Sequence, residues 1–171
     1  PRLPGRHQAM NAALAVAMLR HQHKLAVPAS ALSAAMGWAD WPARLQRLAR
    51  GPLVGNREVW LDGGHNPSAG RVLSQAFSEL NDRHSRPLVL VWGMLNTKDA
   101  SGFLAPLAPR ARALHALTIP GEENALPAAR IAEAARALGI AAEETGSVET
   151  ALRAIAGRDG RAGPARVLIC G

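Results

Sequence analysis

The stretch Val59-Trp60-Leu61-Asp62-Gly63-Gly64-His65-Asn66-Pro67-Ser68-Ala69-Gly70 leaves few options for local structure. A short apolar run ends in an acidic residue, two glycines follow, and Asn66-Pro67 opens a helix. Asn66 is a good N-cap, and Pro67 fits the first helical position, where no N–H is needed. Beyond it Ala69, Val72, Leu73, Ala76, Phe77 and Leu80 recur at helical spacing, which predicts one buried face. The unit reads as strand, tight turn, helix. In open α/β sheets ligands sit at the carboxyl ends of strands, where helix N-termini favour anions. Asp62, His65 and Asn66 fall at that edge, although an ordinary βα turn with polar caps explains the same spacing.

From residue 54 onward the pattern alternates. Strands are predicted at 58–62, 88–92, 113–119 and 166–170, with a short further strand near 140–143. Helices are predicted at 67–80, 98–107, 127–138 and 148–156, the third stopped by Gly139 and the fourth by Gly157. Leu88-Val89-Leu90-Val91-Trp92 is apolar throughout, as expected for a strand covered on both faces. The fold class is therefore α/β, a Rossmann-like, mostly parallel sheet with helices on both faces and right-handed crossovers. Two helices precede it, from about 5 to 22 and from 28 to 36, the second ending at Gly37. Residues 158–164 read as a flexible Gly/Arg connection.

Asp62-Gly63-Gly64-His65-Asn66-Pro67 resembles the Asp-Gly-Ala-His-Asn-Pro signature of folylpolyglutamate and dihydrofolate synthases, within the Mur peptide-ligase superfamily. Gly5-Arg6-His7-Gln8-Ala9-Met10-Asn11-Ala12-Ala13 is similar to the same family's Gly-x-His-Gln-x-x-Asn-Ala-Ala helix. Trp41-Pro42-Ala43-Arg44-Leu45-Gln46 resembles its Trp-Pro-Gly-Arg-Leu-Gln linker, and Gly93-Met94-Leu95-Asn96-Thr97-Lys98-Asp99 its Gly-x-x-x-x-Lys-Asp loop. Four motifs occur in the family's order across nearly the whole chain.

The resemblance implies a division into residues 1–41, the helical tail of a missing N-terminal ATPase domain, 42–53, an interdomain linker, and 54–171, a C-terminal ligase domain truncated at its own C-terminus. It implies an ATP-dependent ligase that adds L-glutamate to folate or dihydropteroate through an acyl phosphate. The Mg²⁺ ligands would lie in the missing domain and none in this chain. The full-length enzyme would be a monomer, and this piece alone would be inactive. No Gly-x-x-x-x-Gly-Lys-Ser/Thr loop occurs, since Lys24 and Lys98 both lack a preceding glycine.

By the same resemblance Asn11, Asp62 and His65 would bind ATP, and Arg44 would contact its phosphates and assist the reaction. Ala43 stands where the family has glycine; if that glycine needed a positive φ, the local turn must differ. Thr97 or Asn96 is expected to cap the helix after Gly93, with Asp99 in its first turn. Lys98 is unfavourable at a positive helix N-terminus. That misfit favours a catalytic-site role, contact with an anion such as the carboxylate of the incoming amino acid.

Composition narrows the rest. One cysteine, Cys170, excludes a disulfide framework and a multi-cysteine metal site, and without a defined histidine partner it reads as a buried strand residue. No run approaches the ~18 apolar residues of a membrane span and no secretory pattern precedes the first motif, so a cytoplasmic protein without membrane contact is expected. A net charge of +7 raises a nucleic-acid partner. The arginines are scattered among alanines and tyrosine is absent, so no nucleic-acid partner is expected. A stand-alone nucleotide-binding module or another Mur-type amide ligase remains the alternative.

Overall fold

The computed structural model describes residues 1–158 and 163–171. The chain divides into two compact units, Pro1–Gln46 and Arg47–Gly171.

The first unit carries α1 (Arg6–His21) and α2 (Ala29–Trp38). Gly5, at φ 101°, is the N-cap of α1. Gln22 ties the turn that follows: its amide donates to the carbonyls of Leu19 and Leu25 at 2.9 and 2.7 Å, and its Oε1 accepts from the N–H groups of Lys24 and Leu25. Gly37 does not end α2 as expected. The helix runs through it to Trp38, because no left-handed residue is placed there to turn the chain. Met10, Leu14 and Met18, one helical stripe, are 71%, 63% and 66% exposed, an apolar face with no cover.

The second unit is built on a six-stranded sheet of order β1-β2-β6-β3-β4-β5. Its strands are β1 (Gln46–Arg47), at which the units divide, β2 (Glu58–Asp62), β3 (Leu88–Trp92), β4 (Ala111–Ala116), β5 (Ala141–Glu144) and β6 (Arg166–Cys170). The helices between them are α3 (Pro67–Arg83), α4 (Ala100–Leu104), α5 (Ala128–Ala137) and α6 (Val148–Arg158). From β2 to β5 all pairings are parallel, with Glu58 opposite Arg166 and Asp62 opposite Cys170. β2→β3, β3→β4 and β4→β5 step one way along the sheet and β5→β6 steps back. Right-handed crossovers therefore put α6 on the face opposite α3, α4 and α5.

Packing agrees. Odd-numbered Val59, Val89, Val91 and Val167 form a core with Ala151, Leu152 and Ile155 of α6. On the other face Trp60 meets Phe77 of α3 edge-on at 6.2 Å, and Trp92 stacks on Phe103 of α4 at 5.6 Å. Both faces being covered, β3 is buried at every position, which explains its unbroken apolar run.

Bounds differ from expectation where local signals are weak. β4 starts two residues earlier and ends three earlier, at Ala111–Ala116, since Thr118 instead accepts the N–H of Ala128 at the start of α5. α3 runs three residues longer, to Arg83. α4 is only five residues, not 98–107, because Leu107 N–H turns back to Leu104 and the chain leaves the helix. Gly157 does not stop α6, which continues to Arg158, whereas Gly139 at φ 80° does terminate α5. Of the predicted flexible connection, residues 159–162 lie outside the described residues.

Candidate functional site

The carboxyl ends of β2, β6 and β3 meet at one edge, where Asp62, Cys170 and Trp92 are in register. Asp62 is buried, and its Oδ1 accepts the N–H of Gly64 at 2.8 Å, so the turn folds back over the carboxylate. Gly64 is required by crowding: a Cβ there would lie 2.8 Å from the Ala69 Cβ and 2.9 Å from Asp62 Oδ1. Asn66 caps α3 as expected, its Oδ1 accepting from Ala69 N–H at 2.9 Å, with Pro67 at the first helical position. His65 is exposed, and its Nδ1 lies 3.1 Å from the Gly63 carbonyl oxygen, to which it donates when protonated there.

Burial, reinforced by the Asp62 carboxylate, pushes the Cys170 thiol far above its ordinary pKa. It stays protonated and is not a nucleophile. Elsewhere, burial lowers the pKa of His115 on β4 despite the opposing charge of Glu143. Its Nδ1 lies 2.9 Å from Glu143 Oε1 without the direction a hydrogen bond needs.

The loop after β3 is tied to the one before α5. Asn96 N–H donates to Asn124 O at 2.8 Å and Leu126 N–H to Met94 O at 2.7 Å. Here the expected cap is corrected. Asp99 itself is the N-cap of α4, its Oδ1 accepting from Gly102 N–H at 2.8 Å, and neither Thr97 nor Asn96 caps. Lys98 is exposed and precedes the cap. With only five helical residues behind it, the dipole that made this lysine look misplaced is small.

Gly70 and Gly102 bring α3 and α4 together. A Cβ on Gly70 would strike the Phe103 carbonyl oxygen, and one on Gly102 would come within 2.8 Å of Pro67 Cγ. Sequence reading passed over both, since crowding by a distant segment leaves no local signal. It passed over Glu58 and Arg166 as well, an ion pair of 2.8 Å at the opposite end of the same strands.

Asp62, at the end of β2, and His65 and Lys98, in the loops that follow β2 and β3, thus lie at one sheet edge of the second unit, while Asn11 and Arg44 belong to the first. Asn11 Nδ2 donates to Gln8 Oε1 at 3.3 Å. Arg44 is exposed between two left-handed residues, Ala43 at φ 55° and Leu45 at φ 47°. The alanine therefore adopts the positive φ open to glycine, at a steric cost of about 1–2 kcal/mol. Ala43 N–H donates to Gln46 Oε1 at 3.0 Å, which holds the turn.

Residues 43–171 match the family described as Mur ligase, glutamate ligase domain. The chain belongs to that family. No curated protein matches this chain. Solved structures do. E. coli FolC in complex with DHPP and ADP is 30% identical with a TM-score of 0.74, covering 94% of this chain and 35% of its own. Mycobacterium tuberculosis folylpolyglutamate synthase complexed with ADP and AMPPCP is 28% identical with a TM-score of 0.76, covering 99% and 38%. A bifunctional folylpolyglutamate synthase/dihydrofolate synthase with Mn, AMPPNP and L-glutamate bound is 28% identical with a TM-score of 0.76, covering 99% and 37%. The chain spans little more than a third of the length of these proteins. No helix among the described residues is long and apolar enough to cross a membrane.

Proposed function

We propose that this chain is the glutamate-ligase part of a cytoplasmic, ATP-dependent enzyme that joins L-glutamate to folate or dihydropteroate. One observation carries the reading: a buried carboxylate, Asp62, held by Gly64 N–H at the end of a parallel strand beside the capped N-terminus of a 17-residue helix. Similarity to synthases solved with ADP, DHPP and L-glutamate supports it. In this reading the acceptor carboxylate takes the γ-phosphoryl group of ATP to become an acyl phosphate. The glutamate amine attacks the acyl carbon, loses a proton, and the tetrahedral intermediate expels inorganic phosphate to leave the amide.

Asp62 accepts hydrogen bonds from the ribose hydroxyls, with His65 and Asn11 at the nucleoside end. Arg44 places its planar fork of donors on the phosphates. Lys98 meets the carboxylate of the incoming glutamate. Residues 1–41 form the tail of the ATPase part, 42–53 the linker and 54–171 the ligase domain. Sequence beyond this chain supplies the phosphate loop, which neither lysine here can form.

Among the described residues no group of three or more His, Cys, Asp or Glu side chains could hold a metal ion. Mg²⁺ is usually held by one or two carboxylates together with waters and substrate phosphates, and in this reading those carboxylates come from sequence outside the chain. No step on this domain is therefore assigned to the cation.

In the full-length enzyme Asp62→Asn should raise KM for ATP about tenfold, the loss of a hydrogen bond to a charged acceptor, and leave the Mg²⁺ requirement unchanged. A shift mainly in Mg²⁺ dependence would count against the assignment. Arg44→Ala should lower kcat by at least ~10²-fold, comparable to losing one transition-state donor. Arg44→Lys should recover little, because the fork is lost. Steady-state kinetics with L-glutamate and dihydropteroate or folate checks both variants, and turnover only with another amino acid or acceptor would move the chain to a different amide ligase.

A further inference from the structure

At the amino-terminal ends of β3 and β6, opposite the edge that carries Asp62, the second unit holds a cavity of about 260 Å³. Three arginines line it, Arg86, Arg110 and Arg166, with Phe77, Leu88 and Pro109 as apolar wall and no acidic side chain among the described residues. Arg166 is only 2% exposed. Its Nε donates to Glu58 at 2.8 Å and its Nη2 to the carbonyls of His84 and Leu80 at 3.1 and 3.4 Å.

Glu58 is the carboxylate behind this wall, and it is shared. Arg86 lies 3.7 Å from it and Arg47 3.9 Å. Arg110 donates from Nε to Ser74 O at 3.2 Å and pairs with no carboxylate among the described residues. Three cations on the wall against one carboxylate leave a surplus of two positive charges. In a partly enclosed site that surplus is matched best by a dianion, and planar guanidinium forks suit phosphate oxygens.

We propose that this cavity is a second ligand site, for a small organic phosphomonoester. The phosphate of such an ester carries about −1.5 to −2 charge at pH 7. Its oxygens meet Arg86, Arg110 and Arg166, and its apolar body packs on Phe77, Leu88 and Pro109. The volume lies just below the ~300–1,000 Å³ of drug-sized pockets, which suits a small ester and not a nucleotide. The site stands apart from the ligase reading, because no residue assigned to ATP, glutamate or acceptor lines it.

Isothermal titration calorimetry on the full-length protein tests it, with saturating ADP present to fill the nucleotide site. Phenyl phosphate is the probe, with inorganic phosphate and benzoate as companions. Phenyl phosphate should bind at least tenfold tighter than benzoate, which carries one charge, and tighter than inorganic phosphate, which has no apolar body. Arg110→Gln should weaken phenyl phosphate at least tenfold, as expected for hydrogen bonds between charged groups. Arg110 makes a single hydrogen bond to the fold, so this variant keeps its structure, and Arg86→Gln gives a second reading. Absence of phenyl phosphate binding, or unchanged affinity in both variants, would overturn the site. Equal affinity for inorganic phosphate would overturn its assignment to an organic ester.

Discussion

Glu58→Gln is expected to destabilise the fold by about 3–5 kcal/mol, the usual result of removing one partner from a buried ion pair. The physical reason lies on the other side of the pair. Arg166 is almost wholly inside the protein, cannot lose its charge, and keeps only neutral acceptors, the backbone carbonyls and the glutamine amide oxygen, once the carboxylate is gone. The reverse substitution is gentler. Arg166→Met leaves Glu58 with Arg86 and Arg47 close by and replaces a buried cation with an apolar chain, a change that is often nearly neutral. Urea denaturation of the two variants checks the asymmetry. A Glu58→Gln loss below about 1 kcal/mol, the range of surface pairs, would show that Arg166 is not held by this carboxylate.

The same pair gives a pH dependence. Burial alone pushes the Glu58 carboxyl up, but the hydrogen bond from Arg166 and the charges of Arg166, Arg86 and Arg47 outweigh it, so its pKa lies below the ordinary 4.5. A carboxyl whose pKa is lowered by folding adds stability that is fully present above its unfolded pKa and is lost as pH falls through the folded value. The protein should therefore lose stability on acidification below about pH 4.5. Glu58→Gln, already without that contribution, should lose less over the same interval.

Gly70→Ala should also be strongly destabilising, by roughly 2–3 kcal/mol or more, although the position lies in the first turns of a helix. Helix propensity points the other way, since alanine is favoured over glycine by about 1 kcal/mol. Contact decides the sign. The new methyl would fall on the Phe103 carbonyl oxygen, 3.0 Å from the carbonyl carbon and 3.2 Å from Cα, and backbone cannot swing aside as a side chain can. Gly157→Ala is the matched control: it is helical, nothing lies within 4 Å of the added Cβ, and it should stabilise by up to about 1 kcal/mol. Thermal or urea unfolding of both variants reads the two signs. A stabilised Gly70→Ala would mean that α3 and α4 do not pack as closely as described.

What the sequence determined by itself was the set of elements whose cause is local. Glu58–Asp62, Leu88–Trp92 and Arg166–Cys170 stand where their apolar runs place them, because a strand covered on both faces needs an unbroken run bounded by turn residues. Asn66 and Pro67 specify the start of α3 through one side-chain oxygen and one missing N–H. Local rules failed where a signal was present but weak: Gly157 lacks the left-handed conformation that makes glycine a stop, and α4 ends well before its apolar residues do. Tertiary structure alone decided that β6 inserts between β2 and β3. That insertion sets Cys170 beside Asp62 at one edge and Arg166 beside Glu58 at the other, 108 residues apart in sequence. It decided likewise that Gly70 must be glycine and that three arginines share one cavity. Capping and periodicity act within a turn or two of the chain, whereas strand order, close helix approach and buried charge pairing arise only when distant segments compete for the same space.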